Sequence, residues 1–338
     1  MRTVFAFAPA PNHAYPEHPE SPERLALFTP PEHARQIEAS PARLDEIGRV
    51  HTPQMILGVE AACKQGATIV DFAPTFVTRS SFEDALLAAG AALDCTRLVL
   101  RGEAENAFAV LRPPGHHAEP RRAMGFCLFN NVAVAAREAL AQGIERVLIV
   151  DYDAHHGNGT QAAFWEDERV AYLSTHQEGI YPGSGQIAEA PHARQRIVNA
   201  PLPALTGDQG YLRVAEDVLR PLAKVFRPQL ILVSAGFDAH WKDPLTRLGL
   251  STAGFFALSK FLVDLAQEHC RGKIVFLLEG GYTPENVANG AKAVFAALTG
   301  ADSAPNVADA SPYPEPDVSR RLSEVLRWQR FDLLNRTC

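Results

Sequence analysis

The chain has 338 residues, 46% of them apolar and 21% charged, a balance that supports a sizeable core and excludes a largely disordered chain. Its net charge is −7 and its Lys and Arg residues are scattered, which argues against a nucleic-acid partner held through phosphates. No apolar run approaches the roughly eighteen residues of a membrane span, and the N-terminal apolar stretch is too short for a secretory signal, so a cytoplasmic protein with no membrane partner is expected.

From the N-terminus, β-branched and aromatic runs predict strands over residues 3–8, 107–111, 146–150, 169–174, 229–234 and 273–278. Between them, Ala- and Leu-rich stretches with helical spacing cover 81–99, 130–142, 209–225 and 252–269. Strand followed by helix, repeated, implies crossover connections and an α/β fold with a mostly parallel sheet and helices on both faces. No internal repeat interrupts this pattern, so one domain is expected over 1–300. Residues 301–316, rich in Pro, Ala, Ser and Asp, predict a surface connection to a final helix over 318–334. Its Trp328 and Phe331 are expected to pack back on the same domain or on another subunit of a homo-oligomer. Five cysteines, Cys63, Cys95, Cys127, Cys270 and Cys338, form no CxxC pair and read as reduced and mostly buried.

Four of the predicted strands run into residues that are costly to bury without a purpose. The first leads into RPPGHHA with His116 and His117, the second into DYDAHHGNG, the third into AGFDAHWKDP and the fourth into EGGY. Ligands of open parallel sheets sit outside the carboxyl ends of the strands, where all four clusters would converge. In an extended segment the D-x-D-x-H spacing of Asp151, Asp153 and His155 aims alternate side chains one way. Asp and His suit zinc or ferrous iron, Asp238 offers a third ligand, and three ligands leave a position open for water and substrate. Each cluster alone has an ordinary explanation as a capped turn or a chance pair. Four on successive apolar strands point to one shared site.

The motifs RPPGHHA, GFCLFNNVAVAA, VLIVDYDAHHGNGTQ, YLSTHQ with YPGSG, LILVSAGFDAHWKDPL and LEGGY, together with HPESPERL near the N-terminus, resemble the histone deacetylase superfamily in its class II-like bacterial branch. The resemblance runs from His18 to Tyr282. It implies the arginase/deacetylase fold, with about eight mostly parallel strands, and a metal-dependent hydrolase of linear amides. It makes Asp153, His155 and Asp238 the zinc ligands, with iron as the alternative metal. His116 and His117 become the tandem catalytic pair, Asp151 and Asn158 their hydrogen-bond partners, and Tyr282 the catalytic tyrosine. Gly125, Phe126 and Tyr181 match the acyl-lysine tunnel and Leu245 its gatekeeper. A structural potassium ion is implied beside the zinc, at Asp151, Asp153, His155, Ser174 and Thr175.

The implied substrate is acetylated protein lysine, with acetylpolyamines or other small acylamides as the alternative. Polyamine-selective relatives can carry Glu where Leu245 stands, and Glu17, Glu20 or Asp71 would have to supply the acidic rim instead. A binuclear site of the arginase kind is disfavoured, because Gly157 and His240 stand where its further carboxylates would be. Arg24 is expected either in an internal acetate channel or in a surface salt bridge.

Overall fold

Alternate residues of a strand face opposite sides of a sheet, and in the computed structural model, which describes residues 3–331, the central strands are apolar on both sides. Eight strands form one sheet: β1 (Thr3–Ala8), β2 (Arg35–Ile37), β3 (Asn106–Leu111), β4 (Val147–Asp151), β5 (Val170–Gln177), β6 (Ile197–Leu202), β7 (Leu230–Ala235) and β8 (Ile274–Leu278). Their order is β2-β1-β3-β8-β7-β4-β5-β6, and every neighbouring pair is parallel. A separate antiparallel hairpin pairs Thr68–Ile69 with Phe76–Val77.

A hydrophobic core covers each face of the sheet. Phe108 and Val110 of β3 enter one, while Ala107, Ala109 and Leu111 enter the other. Helices Thr252–Cys270 and Pro284–Leu298 close the first core with Phe255, Leu262, Val294 and Phe295. Helices Ser81–Leu100 and Asn131–Ala141 close the second, largely with alanines such as Ala88, Ala92 and Ala136. Parallel strands buried on both faces need this two-sided cover.

All six predicted strands are present. The two further ones are the edges β2 and β6, which carry weak signals: β2 is three residues long and mostly exposed, and β6 contains Pro201. Proline is tolerated there because an edge strand leaves one row of N–H groups unpaired. The helix expected over 209–225 is broken into Asp208–Val214, a π turn over Ala215–Leu219, and Arg220–Phe226. Pro221, near the start of the last piece, has no N–H to donate to the preceding turn, and the widened turn takes up the mismatch.

The segment after residue 300 is tied to the body. The Glu315 carboxylate accepts from the backbone N–H groups of Gly207, Gln209 and Gly210 at 3.0, 3.0 and 2.9 Å. The last helix spans Ser319–Gln329, and Val318, Leu322, Val325 and Phe331 join the first core. Trp328 lies under the Arg194 guanidinium at 4.0 Å. The expected helix end at 334 and Cys338 lie outside the described residues.

Candidate metal and catalytic site

In the sheet order, β3, β8, β7 and β4 are consecutive. These strands feed RPPGHH, EGGY, GFDAH and DYDAHH, so their loops meet over the middle of the sheet.

At the centre, ligand atoms of Asp153, His155 and Asp238 lie within 4.8 Å of one another. His155 Nδ1 is 2.9 Å from Asp238 Oδ2 and 3.2 Å from Asp153 Oδ1. Backbone groups aim the carboxylates: the Gly280 N–H donates to Asp153 Oδ2 at 2.8 Å and the Ala154 N–H to Asp238 Oδ1 at 2.9 Å. A Cβ on Gly280 would stand 2.5 Å from Asp238 Oδ2 and 2.6 Å from Asp153 Oδ2, so the first position of GGY after Glu279 admits no side chain.

Both carboxylates are fully buried. Burial and then the neighbouring Asp153 push Asp238 up, while burial of Asp153 is outweighed by His116 and His155, which hold it low. For His155, burial is outweighed by its hydrogen bonds to the two carboxylates, and its pKa rises to about 10. The donor set fits a divalent cation. Two buried carboxylates converge on a single imidazole nitrogen, and the two separations approach the roughly 3.3 Å edge of a tetrahedron with bonds of about 2.0–2.1 Å.

Beside this cluster stand the two histidines, with ring centroids 4.0 Å apart. His116 Nδ1 is 3.1 Å from Asp151 Oδ2, which also accepts from the Tyr172 hydroxyl at 2.9 Å. His117 Nδ1 is 2.8 Å from Asn158 Oδ1. Burial opposes a charge on both rings. At His116 it is outweighed by Asp153 and Asp151, which raise the ring well above the usual range. At His117 burial is reinforced by His116 and His155, which lower it well below.

Glu279 lies inside LEGGY yet carries no sequence signal of its own. Its carboxylate accepts from the N–H groups of Gly115 and His116 at 2.7 and 3.1 Å and from the Ser234 hydroxyl at 2.9 Å. It thereby fixes the backbone that presents the histidines, and burial pushes its pKa up to about 7.

A tunnel of about 200 Å³ descends to the site, lined by Ala73, His117, Gly125, Phe126, His155, Tyr181, Leu245 and Tyr282. Phe126 meets Tyr282 edge-on at 5.9 Å and Tyr181 meets His117 edge-on at 5.1 Å. Gly125 and Phe126 both have left-handed backbones, with φ of +59° and +68°. A Cβ at 125 would also stand 2.4 Å from the His117 ring, so glycine is required there. The hairpin loop holds this strained pair, Asp71 accepting from the Gly125 N–H at 3.2 Å and Thr75 from the Phe126 N–H at 2.8 Å. Asp243 bridges the far wall by accepting from the N–H groups of Tyr282 and Leu245, both at 2.9 Å.

A model of the histone deacetylase domain matches residues 18–298. The chain belongs to the histone deacetylase family. It is 42% identical over 281 residues to a probable deacetylase of Archaeoglobus fulgidus, covering 80% of this chain and 78% of that one. A histone deacetylase-like amidohydrolase of Pseudomonas aeruginosa is 39% identical, covering 79% and 71%. Chloroplastic histone deacetylase 14 of Arabidopsis thaliana is 37% identical, covering 96% and 83%. Among solved structures, the HDA15 HD domain superposes with a TM-score of 0.85 at 32% identity, over 97% of this chain and 95% of that one.

Within this deacetylase fold, several expectations change. Glu20 is no rim acid: it is fully buried, gripped by Arg112 at 2.6 and 2.7 Å and by Arg24 at 2.9 Å. Both Asp71 oxygens are committed to its own hairpin and to Gly125, which leaves Glu17 as the exposed one of the three acids proposed for the rim. Arg24 is not in a surface salt bridge. It is 1% exposed, donates to the Gly281 carbonyl at 2.6 Å and lies 5.2 Å from the centre of the Tyr282 ring. His240 turns away to Asp309 at 3.0 Å, and Asp153, His155 and Asp238 are the one group of acids and histidines among the described residues placed to hold a metal ion. The Ser174 hydroxyl pairs with His176 at 2.9 Å, and that of Thr175 donates to the Asp151 carbonyl at 3.3 Å.

Proposed function

We propose that this chain is a zinc-dependent deacetylase that hydrolyses the acetyl amide of protein lysine side chains. The observation that carries this reading is one apolar tunnel whose lining joins His155 of the acid–imidazole cluster to His117 and Tyr282. Zinc suits two carboxylates and an imidazole with one position left open, and ferrous iron accepts the same donors. A cation held by Asp153, His155 and Asp238 supplies, when bound, Lewis acidity toward the acyl carbonyl and a water.

The protein's own groups divide the remaining work. His117, held neutral, accepts the proton of the attacking water and later delivers it to the departing amine. His116, held protonated beside Asp151, favours negative charge as it gathers on the tetrahedral centre. Burial and then Asp238 raise the Tyr282 phenol well above its usual range, so it stays protonated and donates to the oxyanion. Phe126 and Tyr181 flank the lysine stem and keep water from it. A potassium ion beside the site would draw on Asp151, Asp153, His155, Ser174 and Thr175. With both hydroxyls already paired, carboxylates and main-chain carbonyls would carry most of that coordination.

Leu245, 43% exposed at the rim, and the engagement of Glu20 and Asp71 favour acetyl-lysine over a polycationic amine. The second reading, an acetylpolyamine hydrolase, draws on the exposed Glu17, which lines a cavity that Tyr282 also borders. The four described cysteines are unpaired and buried, which supports a reducing compartment such as the cytoplasm. The deciding experiment assays protein of measured metal content on acetyl-lysine peptides, acetylputrescine and acetylspermidine side by side. Acetyl-lysine should lead. A polyamine preference above about tenfold, some 1.4 kcal/mol of transition-state binding, reverses the ranking.

A further inference from the structure

We propose that Glu119 is a positioning residue that sets the tautomer of His117 by fixing the orientation of the Asn158 amide. The inference rests on the reading of His117 as the base.

An asparagine side chain is nearly symmetric in shape, and its polarity is decided by its partners. Asn158 presents one end to His117 Nδ1 at 2.8 Å and the other to Glu119 Oε1 at 2.9 Å. A carboxylate only accepts, so the end facing Glu119 must be the NH₂ group. The Met124 sulfur, 3.4 Å from the same nitrogen, is a weak acceptor and favours the same orientation. The carbonyl oxygen of Asn158 then faces His117, and because it too only accepts, Nδ1 must carry the hydrogen. In a neutral ring this leaves the lone pair on Nε2. A flipped amide would do the reverse, placing the proton on Nε2 and removing the base.

Glu119 is itself held. Its second oxygen meets Arg122 at 3.3 Å, its N–H donates to the Arg122 carbonyl at 2.9 Å, and its own carbonyl lies 3.0 Å from His51 Nδ1. Glu119 and Asn158 both line a second cavity of about 550 Å³, distinct in its lining from the tunnel. If the carboxylate is removed, water from that cavity takes its place, and water donates and accepts alike. The polarity of the amide is then no longer imposed. An aspartate at 158 would need no such arrangement, since both its oxygens accept.

The test compares Glu119→Ala and Glu119→Gln with the wild type, each of measured metal content. Imidazole ¹⁵N shifts of histidine-labelled protein read the tautomer, with the His117 signal identified by its loss in His117→Gln. Glu119→Ala should keep KM within about twofold, lose about tenfold to a hundredfold in kcat on an acetyl-lysine peptide, and show His117 partly protonated at Nε2. Glu119→Gln keeps the size of the side chain but can give its oxygen to Arg122 and turn its NH₂ group toward Asn158, so it should shift the tautomer the same way and also lose kcat. An unchanged Nδ1–H tautomer in Glu119→Ala overturns the proposal, as does an undiminished kcat in that variant. The spectra need no turnover, so a wild type without deacetylase activity would end the functional reading and still leave this one decided.

Discussion

His116 and His117 are adjacent in the chain and their rings stand 4.0 Å apart, yet their surroundings push their pKa values in opposite directions. His116 faces Asp151 Oδ2 at 3.1 Å and Asp153 Oδ1 at 3.7 Å, whereas His117 faces an uncharged amide. A charge on the first further disfavours a charge on the second. Two groups with the same intrinsic acidity are thus set apart, the first toward the charged form and the second toward the neutral one.

The separation predicts unequal losses. His117→Ala removes the base and should lower kcat by about a thousandfold or more, while His116→Ala, which removes only a favourable charge, should cost about ten times less. Steady-state kinetics at saturating acetyl-lysine peptide, on variants matched in metal content, measure the ratio. Equal losses would contradict the division of roles.

Chelation should destabilise the fold as well as abolish turnover. Without a cation, the buried carboxylates of Asp153 and Asp238 face each other across one imidazole. A ligand that binds the native state alone at a hundred times its Kd contributes about 2.7 kcal/mol, or roughly 4 °C in a chain of 338 residues. Thermal melts with and without added zinc should show that shift, and Asp238→Asn should remove most of it.

Leu245→Glu should redirect substrate choice. A carboxylate at this rim position would attract the distant ammonium of an acetylpolyamine. The ratio of kcat/KM for acetylspermidine to that for an acetyl-lysine peptide is expected to rise about tenfold, and a fixed ratio would place the selectivity elsewhere.

Away from the site, Glu138 is 5% exposed and accepts from Arg97 at 2.8 Å and from Arg49 at 2.5 Å. Burial raises its pKa, but these bonds and one from Gln142 outweigh it and lower the pKa from 4.5 to about 2. Between those values the unfolded chain binds a proton that the folded one does not. The stabilisation is therefore complete above about pH 4.5 and is lost as pH falls toward 2. Allowing for solvent screening, Glu138→Gln should cost about 2 kcal/mol at pH 7 and less as the solution is acidified, so the two melting curves should converge toward pH 2.

The sequence discloses which acids and histidines gather at the site because their spacing is local and each group follows an apolar strand. What it hides is tertiary. Glu279 and Glu119 act through backbone and amide groups far along the chain, and a glutamate beside a motif looks no different from one on the surface. Glu20 illustrates the same limit: its burial is decided by Arg112, 92 residues away. The edges β2 and β6 are too short or too irregular for a periodic pattern, whereas the central strands, apolar on both faces, are plain.

The order of the sheet also bears on how the molecule matures. The loops that meet over β3, β8, β7 and β4 come from both sides of a long span of chain, and the Gly280 amide that steadies Asp153 lies 127 residues beyond it. A nascent polypeptide therefore has no seat for a cation until the ribosome has passed residue 280. Binding of a cation there would follow, and not precede, the docking of β8 beside β7.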